Sequence, residues 1–149
     1  MDVALPSILL VEDDPGDVLL VREALAEHKI ANRLSVVGDG VMAMEYLRGE
    51  GNYASSERPE LVILDLNLPR KSGSEVLAEL KGDPELAAIP VVVLTTSQTE
   101  ADVLRAYQQH ANAFITKPLD FERFKQIVQQ IDEFFIGLVR LPGRPPAGD

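Results

Sequence analysis

The sequence predicts an α/β protein built on one doubly wound, parallel sheet of five strands with five helices. Short runs that are apolar at successive positions alternate with longer segments of helical period, and five such strand–helix pairs follow one another. The length of 149 residues suits a single domain. Strict alternation of this kind places the strands in one layer and the helices on both of its faces, joined by right-handed crossovers.

The first half of the chain contains two of these strand–helix pairs. The run "SILLV" is too short for a helix and is apolar at successive positions, as expected for a strand buried on both faces. Asp14 can cap the helix that follows, with Pro15 at its first position, and Asp39 precedes the second helix in a similar way. The predicted elements are a strand at Ser7–Val11, a helix at Pro15–His28, a less apolar strand at Arg33–Val37 and a helix at Val41–Leu47.

The second half of the chain contains the other three pairs. The runs "LVIL" and "VVVL" have the character of buried strands, whereas "GNYASSER" at 51–58 is a polar loop that is longer than such a connection needs. The end of the chain from Pro142 has the composition of disorder. The predicted elements are strands at Leu61–Leu64, Val91–Leu94 and Ala113–Thr116, with helices at Ser74–Lys81, Glu100–His110 and Phe121–Leu138.

The composition excludes several classes of function. The chain has 24 acidic and 14 basic residues, a net charge of -10, which disfavours nucleic acid because phosphate neutralisation needs Lys and Arg. It has no cysteine, so it forms neither disulfides nor thiolate metal sites. The start "MDVALPS" is unlike a signal peptide, and no run reaches the roughly 20 apolar residues of a membrane span. We therefore expect a soluble, cytoplasmic protein that binds neither nucleic acid nor membrane.

Carboxylates are concentrated at the ends of two predicted strands. Glu12, Asp13 and Asp14 directly follow the first strand, and Asp65 follows the third. Ligands of open parallel sheets sit at the carboxyl ends of the strands, so these acids meet at one edge if the two strands are neighbours. Like charges so placed need a compensating cation, and a small number of hard oxygen ligands favours Mg²⁺.

Two simpler interpretations apply to part of this acidic cluster. Asp14 and Asp17 suit a helix cap and a partner of the helix dipole, but Glu12 and Asp13 precede the helix and are not explained in this way. A calcium loop of the EF-hand type needs acids at alternate positions and a distant glutamate, and "EDDPGDVLLVRE" fails that spacing.

The ends of the fourth and fifth strands supply different groups. Thr95 follows "VVVL" and Lys117 follows "AFIT". A hydroxyl and an ammonium that face carboxylates and a metal ion make a charge-balanced pocket suited to a transferred phosphoryl group. Each signal alone is equally compatible with a strand cap at Thr95 and a solvated turn at Lys117, and the prediction depends on all four strand ends together.

These motifs, in this order, resemble the receiver domain of two-component response regulators. They are "VEDD" after the first strand, "DLNLPRKSG" after the third, "LTTS" after the fourth and "KP" after the fifth. The resemblance implies a flavodoxin-like (βα)5 fold with strand order 2-1-3-4-5. It covers residues 5–138, the predicted receiver domain, and leaves 139–149 as a tail that we expect to be disordered.

The resemblance also implies a role for each site residue. Asp65 would accept a phosphoryl group from a histidine of a sensor kinase and later lose it by hydrolysis, so the protein would be a switch that converts no free substrate. Lys117 would pair with the phosphoryl oxygens, and Thr95 would donate a hydrogen bond to one of them. The implied Mg²⁺ ligands are Asp13, Asp65 and the backbone carbonyl of Asn67, with Glu12 acting through a water.

The partners implied by the resemblance are proteins. "VEDDPGD", the long loop and the ending "FFIGLVRLP" are similar to stand-alone receivers that partner phytochrome-type histidine kinases. The last predicted helix carries a broad apolar stripe, which fits either a well-buried helix or the seam of a homodimer. The stripe consists of Phe121, Phe124, Val128, Ile131, Phe135 and Leu138, widened by Ile127 and Phe134. The downstream target is expected to be another protein and is not identified by the sequence.

Two rival functions have sequence features that count against them. An aspartate phosphohydrolase typically places a second acid two residues after its nucleophile, where this chain has Asn67. A receiver-like interaction module that takes no phosphate would be expected to lose Asp13, Asp65 or Lys117, and all three are present.

Overall fold

The computed structural model describes residues 7–27, 33–54, 58–95 and 113–116, with single helical positions at 122 and 126, and gives the backbone alone at 95 and 113–116. The predicted helices at 100–110 and 121–138 lie outside the described residues, except for the helical positions Glu122 and Gln126. The apolar stripe, the proposed dimer seam and the tail also lie outside them.

The described strands form one parallel sheet with the order β2-β1-β3-β4-β5. This arrangement confirms the doubly wound fold and the strand order that the family resemblance implies. All four neighbouring pairs are parallel, and Val11 of β1 pairs with Leu64 of β3 at the carboxyl edge of the sheet. The strands are β1 (Ser7–Val11), β2 (Arg33–Val37), β3 (Leu61–Asp65), β4 (Val91–Thr95) and β5 (Ala113–Thr116).

Three α-helices are described, and the first two begin after aspartates that cap them. They are α1 (Pro15–Glu27), α2 (Gly40–Arg48) and α3 (Gly73–Gly82). Asp14 accepts a hydrogen bond from the Gly16 amide at 3.0 Å, and Asp39 accepts one from the Met42 amide at 2.8 Å. Both caps were predicted from the sequence, because an acidic side chain before the first turn satisfies amides that have no partner within the helix.

The polar loop predicted at 51–58 begins with a regular element. Gly51–Tyr53 forms a short 3-10 helix directly after α2. Tyr53 packs against Tyr46 of α2 with ring centroids 5.3 Å apart, and it lies on the edge of the hydrophobic core. The aromatic contact and a hydrogen bond from the Tyr53 amide to the Glu50 carbonyl at 3.0 Å stabilise this turn.

The core occupies both faces of the sheet. Alternate residues of β1 point to opposite faces, so Leu9 packs with side chains of α2 and α3, whereas Leu10 packs with side chains of α1. β1 and β3 are buried at every position. This layering leaves the ends of the strands as the place where polar groups gather. None of the helices within the described ranges is long and apolar enough to cross a membrane.

Candidate metal centre

Three carboxylates meet at the carboxyl edge of the sheet, where β1 and β3 lie side by side. Glu12 and Asp13 follow β1, and Asp65 is the last residue of β3. Each offers a carboxylate oxygen that lies within 4.8 Å of the other two. The order of the strands reverses at this pair, since β2 lies on one side of β1 and β4 lies beyond β3. Such a point is where open α/β sheets bind ligands.

The three acids differ in burial. Glu12 and Asp65 are each 2% exposed, whereas Asp13 is exposed to solvent. Two buried carboxylates and one exposed carboxylate therefore line a site that opens to solvent on one side. Hard oxygen donors in this number suit a small divalent cation that keeps part of its water shell. The described donors thus fit the Mg²⁺ that the sequence predicts.

Backbone amides hold Glu12 in place. Its Oε2 atom accepts hydrogen bonds from the amides of Asp13 at 3.0 Å and Asp14 at 3.2 Å. Its own amide donates to the carbonyl of Val37 in β2 at 3.0 Å. These hydrogen bonds from backbone N–H groups fix the position of the Glu12 carboxylate at the site.

Asp65 is held by the loop that follows it. Its Oδ1 atom accepts a hydrogen bond from the Asn67 amide at 2.9 Å, which brings the predicted ligand Asn67 next to the acid cluster. The Leu66 amide donates to the Leu94 carbonyl at 2.9 Å, and the Gly73 amide donates to the Leu66 carbonyl at 3.0 Å. The start of the loop is therefore tied both to β4 and to the first residue of α3. The role of the Asn67 carbonyl as a ligand stays a prediction.

Gly73 allows α3 to begin directly against this loop. A Cβ atom at Gly73 would lie 2.1 Å from the Asp65 carbonyl oxygen and 2.5 Å from the Leu66 Cα atom. Only a residue without a side chain permits so close an approach of two backbone segments. The motif that contains this glycine is visible in the sequence, but the steric role of the glycine is not.

An ion pair that is not visible in the sequence joins this loop to α2. Arg70 Nε lies 3.0 Å from Asp39 Oδ2, and Arg70 Nη2 donates to Asp39 Oδ1 at 3.0 Å. Burial raises the pKa of Asp39, but the hydrogen bonds from Arg70 and from the Met42 amide together with the charge of Arg70 lower it below the usual value of 3.8. The same hydrogen bond raises the pKa of Arg70. From the sequence, Asp39 is predicted only as a helix cap.

The other predicted site residues are described only in part. β3 and β4 pair with Asp65 opposite Leu94, so Thr95 is one position beyond the partner of Asp65. Thr95 in turn pairs with Thr116, the last residue of β5. The Thr95 side chain and all of Lys117, which follows β5, lie outside the described residues. The backbone thus brings the end of β4 to the acid cluster and the end of β5 to the end of β4.

Comparisons with known proteins agree with this geometry. Residues 8–129 match the family described as "Response regulator receiver domain". Response regulator Rcp1 of Synechocystis sp. is 47% identical over 135 residues, which are 91% of this chain and 92% of the relative.

Two solved structures have the same fold. The phosphorylated cyanobacterial phytochrome response regulator RcpA superimposes with a TM-score of 0.82 at 48% identity, over 94% of this chain and 100% of that one. The Mn²⁺-bound form of Rcp1 gives a TM-score of 0.80 at 46% identity, over 93% of this chain and 99% of that one. Together with the matched family and the acid cluster at the carboxyl ends of β1 and β3, these findings show that the chain belongs to the response regulator receiver domain family.

Proposed function

We propose that this protein is a single-domain response regulator that accepts a phosphoryl group on Asp65 from a sensor histidine kinase. The observation that carries the proposal is the position of Asp65 at the end of β3, 2% exposed and within 4.8 Å of carboxylate oxygens of Glu12 and Asp13. RcpA, which has the same fold, is known in a phosphorylated form. We assign residues 5–138 to the receiver, since the family match at 8–129 lies within them, and 139–149 to a tail.

The proposed cofactor is Mg²⁺. Asp13, Asp65 and the backbone carbonyl of Asn67 would hold it, and Glu12 would act through a water. When bound, the cation offsets the negative charge of the acids and of the incoming phosphoryl group. The Mn²⁺-bound form of Rcp1 supports a divalent cation in a relative of this chain. The three oxygen donors found together here are those that Mg²⁺ and Mn²⁺ both accept.

In the proposed reaction an Oδ atom of Asp65 attacks the phosphorus of a phosphohistidine. The P–N bond to the kinase imidazole breaks as the P–O bond to Asp65 forms, and the histidine leaves. Lys117 would pair with the transferred oxygens and Thr95 would donate a hydrogen bond to one of them. A water later attacks the same phosphorus, inorganic phosphate leaves and the Asp65 carboxylate is restored. The chain turns over only its own modification and converts no free substrate.

The proposed partners are proteins. The resemblance to RcpA favours a phytochrome-type histidine kinase as phosphodonor, since that regulator is described as a phytochrome response regulator. The protein would signal by binding a downstream protein, and it would form a homodimer through its last helix. With a net charge of -10 the chain is not expected to bind nucleic acid. As the partner of such a kinase the protein would act in the cytoplasm and would not insert into a membrane.

The decisive experiment is intact mass spectrometry after incubation with Mg²⁺ and a small phosphodonor such as acetyl phosphate. The native chain should gain one phosphoryl group and lose it again with time, and Asp65→Asn should gain none. Asp14→Asn is the matched control, because Asn replaces Asp well as a helix cap and Asp14 is not one of the three clustered acids.

Two results would contradict the proposal. A phosphoryl group on Asp65→Asn would place the acceptor elsewhere. A folded native chain that gains no phosphoryl group from either acetyl phosphate or a phosphorylated phytochrome kinase would favour an interaction module that works without phosphate.

A further inference from the structure

The loop between β3 and α3 is fastened to the N-terminus of α2 by two N–H groups of one guanidinium. Arg70 approaches both carboxylate oxygens of Asp39, with Nε and Nη2 each 3.0 Å from a different oxygen. The Asp39 side chain is only 13% exposed. A paired fork of this kind fixes direction as well as distance, which a single contact with a lysine would not do.

The partner of Arg70 is itself held in place. Asp39 Oδ1 also accepts the Met42 amide at 2.8 Å, and the Asp39 carbonyl accepts the Ala43 amide at 3.1 Å. The next residue, Gly40, lies so close to the loop that a Cβ atom there would be 2.1 Å from the Lys71 carbonyl oxygen. The first turn of α2 is thus a rigid anchor in direct contact with the loop.

The loop adopts an unfavourable conformation at the residue that makes this contact. Arg70 has φ 65, and among the described residues it is the one residue other than glycine with a positive φ. The Lys71 amide donates to the Pro69 carbonyl at 2.8 Å, which closes a three-residue turn around Arg70. Turns of this kind are rare and strained, and such strain persists only where the surroundings enforce it.

The strained turn lies in the short loop that carries the site. The loop leaves Asp65, passes Asn67 and returns to Gly73, whose amide donates to the Leu66 carbonyl at 3.0 Å. We propose that Asp39 and Arg70 are positioning residues, whose ion pair holds this loop in the conformation that presents Asp65 and Asn67 to the cation. The inference rests on the proposed function, because the cation belongs to that proposal.

If Asp39 and Arg70 acted only through their charges, substitution of Arg70 would change the affinity for Mg²⁺ in the opposite direction to that expected from a positioning role. Removing the positive charge of Arg70 near the acid cluster would strengthen cation binding, and removing the negative charge of Asp39 would weaken it. A positioning role predicts that both changes weaken binding. Arg70→Ala therefore separates the two roles by the direction of its effect.

The test is calorimetric titration with Mg²⁺ of the native chain, Arg70→Ala, Asp39→Asn and the double variant. Asn at position 39 keeps the helix cap, so α2 retains its first turn. We expect each single variant to weaken Mg²⁺ binding by roughly tenfold, as for other residues that orient metal ligands. The double variant should bind no more weakly than the weaker of the two single variants, because both remove the same contact.

Lys71→Ala is the matched control. Lys71 is the neighbouring cation of the same loop and pairs with Glu79 of α3, so its removal changes the charge equally without touching Asp39. It should bind Mg²⁺ as tightly as the native chain or more tightly. Arg70→Ala binding that equals or exceeds that of the native chain would overturn the inference.

Amide hydrogen exchange in metal-free protein gives a readout that does not depend on the cation. The Asn67 and Gly73 amides should exchange faster in Arg70→Ala and Asp39→Asn than in the native chain, and at the native rate in Lys71→Ala. Unchanged exchange in the two variants would also overturn the inference. If the native chain itself binds no Mg²⁺, the proposed cofactor is wrong, and the exchange rates alone decide whether the ion pair holds the loop.

Discussion

The substitution Gly73→Ala tests whether the position of Asp65 depends on the close contact between α3 and the end of β3. The new Cβ atom would lie 2.1 Å from the Asp65 carbonyl oxygen, 2.5 Å from the Leu66 Cα atom and 2.8 Å from the Asp65 carbonyl carbon. All three are backbone atoms, so no side chain can rotate to make room. The shortest contact must lengthen from 2.1 Å to at least 3.0 Å, which moves α3 and Asp65 apart by about 0.9 Å.

Two effects of opposite sign determine the stability of this variant. Forcing an extra methyl group into a packed site typically costs about 1–3 kcal/mol. Alanine in place of glycine within a helix typically increases the free energy of unfolding by about 0.5–1 kcal/mol. We therefore expect a net loss of roughly 1–2 kcal/mol in the free energy of unfolding, measured by urea titration. A displacement of about 1 Å at a reacting group can cost on the order of 100-fold in rate, so phosphorylation of Asp65 should slow by about 10- to 100-fold.

Gly82→Ala is the matched control, because Gly82 ends the same helix and a Cβ atom there would meet nothing within 4 Å. This variant should be as stable as the native chain or more stable, and its phosphorylation rate should be unchanged. The reasoning is refuted if Gly73→Ala retains native stability and the native rate of phosphoryl gain, both followed side by side with Gly82→Ala.

Four further predictions concern single side chains. Lys81 donates hydrogen bonds to two backbone carbonyls after α3, at 2.8 and 3.0 Å, and its desolvation lowers its pKa below 10.5. Lys81→Met removes both hydrogen bonds and should lower the free energy of unfolding, measured in urea, by about 1–3 kcal/mol. Tyr46→Phe removes a 3.0 Å hydrogen bond to the Ser35 hydroxyl and should cost about 1 kcal/mol in the same assay. The pKa of Asp39 is lowered below 3.8 in the folded chain, so its ionised carboxylate stabilises the fold above that pH and ceases to do so as the pH falls below it. The difference in unfolding free energy between the native chain and Asp39→Asn should therefore be smaller at pH 3 than at pH 7. Asp65→Asn removes one of the three clustered carboxylates. In metal-free protein this change should raise the unfolding free energy by about 2 kcal/mol and so raise the thermal midpoint. Added Mg²⁺ should raise the thermal midpoint of the native chain only.

The sheet and its acidic edge could be predicted from the sequence because both depend on local patterns. Strands buried on both faces are apolar at successive positions, and this pattern located β1, β3 and β4. The groups that follow such strands must lie at one edge of a parallel sheet. Glu12 and Asp65 could therefore be placed together before their distance was known, as the structure confirms.

The contacts that shape the β3–α3 loop could not be predicted in the same way. Asp39 and Arg70 are 31 positions apart, and only the packing of α2 against the loop brings them together. The positive φ at Arg70 leaves no mark in the sequence, because arginine is not a residue that signals this conformation. The glycines at positions 40 and 73 are visible in the sequence, but a single sequence does not show what a side chain there would strike.

The part of the site that the sequence predicted and the part that it missed have different physical origins. Glu12 and Asp65, both 2% exposed, bring two carboxylates together, and like charges so placed need a compensating cation. Such a cluster is maintained for a ligand, so its acids stand out against the apolar runs before them. The Asp39–Arg70 pair and the close contact at Gly40 instead favour a defined loop geometry and are made of residues that occur in many solvated turns. The acids that we propose as cation ligands can therefore be found from the sequence, whereas the residues that we propose position them are found only from their three-dimensional contacts.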